Sequence, residues 1–292
     1  TAQTCGWTWD IALQHRRGVG LVYCSQFTNE EQAKQVLIDY VRERYPSAQD
    51  AELSFRTLSF EPGYRSQFWV KNCLSLGMSS GFVEPLEASA IAMVELGLRM
   101  LCEAFPHNKK HMEIVSKRYN SRFAYRWQRV IDFLKLHYVL SDREEPYWIA
   151  QRDKASIPDS LAELLELWKY QSPSRLDLIE NEEIFPSASY QYVLYGMGYS
   201  TSAPLLRLSE ANKLKALHIR ETLQQTKNAY LQGLPSNRVL LNDIAKRYSN
   251  EKQHVPSLAQ REKNEHASAS SCNDIKNTSD KKDTSYDRIG FR

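Results

Sequence analysis

The chain has 292 residues, 42% of them hydrophobic and 25% charged, with a formal net charge of +3. That length holds one large domain or two small ones, and no apolar run is long enough to cross a bilayer as a helix. The weak positive balance, with no basic stripe concentrated on one element, points away from nucleic acid.

The first residues, TAQTCGWTWDIAL, already read like the interior of a folded protein, so the chain is expected to begin in mid-domain. Residues 7–11 and Gly20 to Ser25 read as two strands joined by a polar turn, Gln14 to Gly18. Alternation places the indoles of Trp7 and Trp9 on one face, where they either fill a core or wall a tunnel. A helix opens at Asn29-Glu30-Glu31, capped by Thr28 or Asn29, and ends before Pro46. Ala51 to Phe60 alternates apolar and polar residues like a half-buried strand, and Glu61-Pro62-Gly63-Tyr64 is a turn. Gln67 to Leu76 reads as a further strand, with Lys71 a solvated residue on it. A turn of small residues follows (Gly77, Ser79, Ser80, Gly81), which lets backbone approach a flat ligand closely. It leads through Glu84-Pro85-Leu86-Glu87 into a helix from about Ser89 to Leu101. That helix is apolar on nearly every face and is expected to be buried. Its N-terminus offers free N–H groups and a partial positive charge to an anion. Glu87 beside it reads either as a cap and dipole partner or as an acid–base group among apolar neighbours.

After Pro106 the character turns helical. Lys109 to about Leu140 carries apolar and aromatic residues at helical spacing, and Pro158 to Tyr170 is a second amphipathic helix. Phe185 to Tyr199 reads as a loop plus a short element. Leu208 to about Leu231 and Asn237 to Tyr248 are two more helices, separated by Pro235. From Ser249 onward the chain is polar and is expected to stay disordered. The expected class is α+β, with a β-rich region over 1–105, a helical region over 106–248 and a tail over 249–292. Five cysteines (Cys5, Cys24, Cys73, Cys102, Cys272) lack CxxC spacing, and the histidines stand apart from other ligand types. With no signal peptide, these read as free thiols in a reducing cytoplasm, with no metal site. No GxGxxG follows a strand, so the dinucleotide fingerprint is absent.

Two motifs carry a family resemblance. GFVEPLEASAI resembles the halide-site motif of the flavin-dependent tryptophan halogenases, and GWTWDIA resembles that family's WxWxIP signature, with Trp7, Trp9 and Ile11 in place. GVGLVYCSQF, FWVKNCLSLG, FLKLHYVLSDREEPYW and VLYGMGY look like family landmarks in matching order, so the resemblance covers residues 5 to about 205. It implies part of a flavin-monooxygenase-like β-sheet region followed by a mainly helical, substrate-side region. It also implies reduced FAD from a separate flavin reductase, oxygen, and chloride or bromide oxidised to hypohalous acid. The acceptor implied is a small electron-rich aromatic such as an indole, with no membrane and no nucleic acid involved. By motif position Glu87 guides the oxidant and takes up the ring proton. The halide lies on the N–H groups of Ser89 and Ala90, while Trp7, Trp9, Ile11, Gly81 and Pro85 lie along the cofactor and tunnel. Three departures stand out: Ala12 replaces the closing proline, Ala88 and Ala90 replace residues of the Glu-Ser-Thr-Gly run, and no free-tryptophan segment is recognisable around Phe185 to Tyr199. The family carries the flavin fingerprint and a catalytic lysine N-terminal to these motifs, so the 292-residue chain alone is expected to be inactive. An aromatic monooxygenase and a non-catalytic helical binding module are the alternatives.

Overall fold

A computed structural model of the chain describes residues 1–13, 16–49, 53–179, 183–202 and 209–254. An antiparallel sheet opens it, with order β1 (Ala2–Gln3), β2 (Gly6–Ala12) and β3 (Arg17–Tyr23). Trp7 pairs with Val22 and Trp9 with Gly20. The Trp9 indole lies across β3 over Gly18 and Gly20, and a Cβ on Gly20 would fall 2.3 Å from its ring. Two alternate glycines thus make the floor on which a tryptophan rests flat. Helix α1 (Glu30–Arg44) follows, its first turn closed by the Asn29 side chain accepting from the Gln32 N–H. Asp10 ties the hairpin to the end of α1: it accepts hydrogen bonds from Tyr40 and Tyr45 and pairs with Arg17.

Two expected strands take a different form. Residues 53–60 have no regular structure, and Phe55, Leu58 and Phe60 are exposed; residues 51–52 lie outside the described residues. Alternation supplies a face, but without a neighbouring strand the backbone finds no ladder. The expected strand Gln67–Leu76 is a tight hairpin of β5 (Trp69–Val70) and β6 (Cys73–Leu74). Lys71 therefore sits in its turn, at φ 54°, rather than on a strand. The short strands β4 (Gly63–Tyr64) and β7 (Gly81–Phe82) pair antiparallel. Gly81 is required there, because a Cβ would come within 2.6 Å of Tyr64 Cβ.

The core is organised by α3 (Lys109–Val139), a 31-residue helix started by Asn108. Val115, Tyr119, Phe123, Val130 and Phe133 line its buried face. Asn120, in mid-helix, accepts from the N–H groups of Phe68 and Trp69 at 2.8 Å and donates to the Trp69 carbonyl at 2.9 Å. One amide side chain thereby fixes the β5–β6 hairpin on α3. Helix α2 (Ala90–Glu103), α4 (Pro146–Gln151), α5 (Asp159–Leu167) and α6 (Ser187–Gly196) also pack on α3. The short element expected within Phe185 to Tyr199 is the helix α6, and it takes up most of that stretch.

Helix α2 is only half buried. Met93 and Gly97 are enclosed, whereas Ile91 is 75% exposed and Leu98 43%. Gly97 lets α2 approach α3 so closely that a Cβ would meet the Tyr119 hydroxyl at 2.7 Å. The other apolar face meets no covering element among the described residues.

The chain divides into two compact units, Thr1–Leu206 and Arg207–Arg292. The change of character near residue 105 falls inside the first unit, because α3 holds the hairpins and the later helices in one core. The second unit contributes α7 (Glu210–Gly233) and α8 (Asn237–His254). Residues 249–254 of the expected tail continue α8, where the Ser249 hydroxyl donates to the Ala245 carbonyl; residues 255–292 lie outside the described residues.

Candidate active site

The two sequence motifs meet at the C-terminal end of α3. Trp7 is buried against Tyr138, Tyr147 and Trp148, with Trp9 and Leu86 packed on the same cluster. Its Nε1–H donates to Glu84 Oε2 at 2.9 Å, and the Tyr138 hydroxyl donates to that same oxygen at 2.6 Å. Burial first, then the Glu84 carboxylate, pushes the Tyr138 phenol far up from its ordinary value, so it stays protonated and donates. Burial likewise pushes Tyr147 up to about 12.

Glu87 lies in a tight turn over Leu86–Ala88, with φ 64° and ψ 4°. Ala88 follows at φ 47°, its N–H donating to the Pro85 carbonyl at 3.1 Å. Neither residue is glycine, and a left-handed conformation costs about 1–2 kcal/mol for each. Glu87 Oε1 lies 3.2 Å from His137 Nε2. The other ring nitrogen, Nδ1, is 2.8 Å from the Phe133 carbonyl, and the ring stands edge-on to Phe133 at 5.2 Å. Because a carbonyl can only accept, Nδ1 carries a proton. The Phe133 carbonyl thus fixes the imidazole on one side, and Glu87 Oε1 lies against its other nitrogen.

Several expected placements change here. Glu87 is not an acid in an apolar wall: its side chain is 39% exposed, because the left-handed turn swings it outward toward His137. The more enclosed carboxylate is Glu84, which is half-buried. Ile11 is 54% exposed, near the open end of the hairpin, and Pro85 is exposed too, so neither walls a tunnel among the described residues. Trp9 is half-buried, and Gly81 serves the β4–β7 pairing. Ser89 is buried, and its carbonyl accepts from Met93. Ala90 is the first residue of α2, so its N–H has no acceptor within the helix.

Left-handed Glu87 and Ala88 followed by right-handed Ser89 (φ −72°, ψ −10°) bend the chain into the kind of concave run of amides that suits a small anion. This geometry fits a halide. For flavin the fit is partial. Met78 and Ile91 are exposed apolar residues before and after the turn, but no glycine fingerprint for the flavin's phosphates occurs in the sequence. Among the described residues no group of three or more His, Cys, Asp or Glu is placed to hold a metal ion. Nor is any helix among them long and apolar enough to cross a membrane.

Residues 1–211 match the family model described as tryptophan halogenase. The chain belongs to the tryptophan halogenase family. It is 32% identical over 237 residues to tryptophan 6-halogenase SttH of Streptomyces toxytricini, covering 81% of this chain and 44% of that protein. Among solved structures, a tryptophan halogenase from Shewanella frigidimarina superposes with a TM-score of 0.78 at 44% identity, covering 84% of this chain and 46% of that one. BrvH, a flavin-dependent halogenase from Brevundimonas, gives a TM-score of 0.67 at 30% identity over 83% of this chain and 47% of that one. The chain thus spans about half the length of the relatives it matches. Within the chain, the residues that sequence reasoning passed over are Glu84, His137 and Tyr138. The signals were present: EPLE carries two acids three residues apart, and His137 and Tyr138 are adjacent in FLKLHYVLSD. Nothing in the spacing says that these neighbours on α3 each hold one of the two loop glutamates.

Proposed function

We propose that the protein halogenates an electron-rich aromatic of the indole class, using chloride or bromide, oxygen and FAD reduced by a separate reductase. The observation that carries this reading is the strained Glu87–Ala88 turn at the start of α2, inside a chain of the halogenase family. Backbone strain of this kind persists where the surrounding structure holds it for a purpose. FAD, when bound, supplies the oxidising power that turns the halide into an electrophile. The chain's own residues do the rest. The amides of Ser89 and Ala90 hold the halide. Trp7 and Trp9 wall the space between the halide and the aromatic, which keeps water and substrate apart from the oxidant. Glu87 orients the electrophile through its carboxylate. As the new carbon–halogen bond forms, the ring C–H proton passes to Glu87 Oε2, and the C–H electron pair restores the aromatic ring. His137, already bonded to Oε1, steadies the carboxylate in that task.

The test is mass spectrometry of products from the intact gene product with reduced FAD, oxygen, an indole, and chloride or bromide in turn. Product masses that follow the halide separate this reaction from aromatic hydroxylation. Glu87→Gln lowers the halogenation rate by about 10²–10⁴-fold, the range of a general acid–base group, with flavin oxidation unchanged. A rate that survives this substitution overturns the assignment of Glu87. The 292-residue chain assayed by itself is expected to give no turnover, since its sequence carries no GxGxxG fingerprint for the FAD phosphates.

A further inference from the structure

We infer that Glu84 is a positioning residue: its carboxylate tethers the tryptophan strand to the halide loop and thereby sets where the Trp7 indole stands. Three elements converge on one oxygen. Trp7 comes from β2, Tyr138 from the last turn of α3, and Glu84 from the loop that continues, three residues later, into the strained Glu87 turn. Glu84 Oε2 accepts from Trp7 Nε1 at 2.9 Å and from the Tyr138 hydroxyl at 2.6 Å. Trp7 is 9% exposed and Tyr138 4%, so neither donor has water to turn to. An indole N–H can only donate, and a buried donor left without an acceptor carries the full cost of its desolvation. The shared carboxylate is therefore what makes this orientation of Trp7 the low-energy one. Both bonds are made to an acidic side chain, which makes them stronger than neutral hydrogen bonds.

The strut is separate from the Glu87–His137 pair, although the two are adjacent at both ends: Glu84 and Glu87 on the loop, Tyr138 and His137 on α3. Lys135, one turn earlier on α3, is bonded instead to Gln151 at 3.0 Å. Glu84 thus works through Trp7 and needs no contact with substrate or halide. Its consequence for the reaction rests on the halogenase reading: a Trp7 that drifts no longer keeps the aromatic away from the oxidant, so direct oxygenation gains on halogenation.

Two measurements test this. In the chain labelled with ¹⁵N at indole nitrogens, Trp7→Phe identifies the Trp7 Nε1–H cross-peak. Glu84→Gln, which keeps the shape and one acceptor oxygen, shifts that cross-peak and speeds its exchange with water, while Tyr138→Phe leaves the Trp7 bond in place. A Trp7 cross-peak indifferent to Glu84→Gln overturns the tether. In the intact gene product, Glu84→Gln lowers the ratio of halogenated to oxygenated indole by about ten-fold, as expected for weakening one charge-assisted bond. That ratio is insensitive to how much enzyme is folded, so a merely structural role leaves it unchanged, and an unchanged ratio overturns the positioning role. Absence of halogenated product from the unsubstituted protein refutes the halogenase reading instead, and the indole cross-peak still decides the tether.

Discussion

Ala88→Gly tests whether the turn before α2 stores strain. Ala88 holds φ 47°, a conformation that costs an alanine about 1–2 kcal/mol and a glycine nearly nothing. The methyl group is exposed, so its removal sacrifices no packing. Against the relief stands the greater freedom of glycine in the unfolded chain, worth about 0.4–1 kcal/mol. The balance is a stabilisation of about 0.5–1 kcal/mol. In a unit the size of Thr1–Leu206, each kcal/mol moves the melting temperature by about 2–4 °C, so calorimetry should show a rise of about 1–4 °C. Most point substitutions destabilise, which makes the sign itself informative. The same freedom lets the amides of Ser89 and Ala90 wander, so the chloride concentration for half-maximal halogenation should rise several-fold. Strain held for function predicts these two effects together. A melting temperature that falls or stays put shows that the turn is relaxed, and the argument from strain to halide site fails with it.

Gly20→Ala drives a methyl to 2.3 Å from the Trp9 ring and should destabilise the chain by about 1–3 kcal/mol in urea unfolding; Gly196→Ala, with nothing within 4 Å, should instead stabilise it slightly. Asp132 is fully buried, pairs with Arg129 at 2.5 Å and accepts from Ser160 at 2.8 Å; Asp132→Ala strands the guanidinium and should cost about 3–5 kcal/mol by the same assay. At Asp10, desolvation opposes ionisation, but hydrogen bonds from Tyr45, Arg17 and Tyr40 outweigh it and hold the carboxyl below its ordinary value. A depressed value means that the stabilisation is present above the unfolded-state range near pH 4 and is lost as the pH falls through the folded-state value. Acid titration by circular dichroism should accordingly show a flatter acid limb for Asp10→Asn than for the wild type.

What could be read in advance follows the range of the forces involved. Helix α1 began at its expected cap, and α3 ran over the expected span, because capping and helical periodicity are local to the chain. Strand pairing is not local. Residues 53–60 have the right alternation and no strand partner among the described residues, while the β5–β6 turn at Lys71-Asn72 falls inside what reads as one strand because Lys71 is not a residue that advertises a left-handed turn. The half-burial of α2 is hidden from the sequence for a related reason. Apolar composition says what a surface would prefer to meet, and only tertiary contacts say which side meets it: Gly97 faces Tyr119, and Ile91 faces outward.

The site shows the same limit at higher resolution. Motif position singles out Glu87, and spacing places it at the head of α2, but neither says where the Glu84 carboxylate goes. The separation of the two carboxylates comes from one backbone event, the left-handed φ of Glu87 and Ala88, which turns the second carboxylate outward while the first stays under Trp7. Once the loop bends there, Glu84 meets two buried donors, and Glu87 meets an imidazole whose other nitrogen is already committed to Phe133. Two acids three residues apart thus come to opposite places, one bonded to two buried donors and the other partly open beside an imidazole. The difference is made by α3, more than forty residues further along the chain, which presents Tyr138 to the first and His137 to the second.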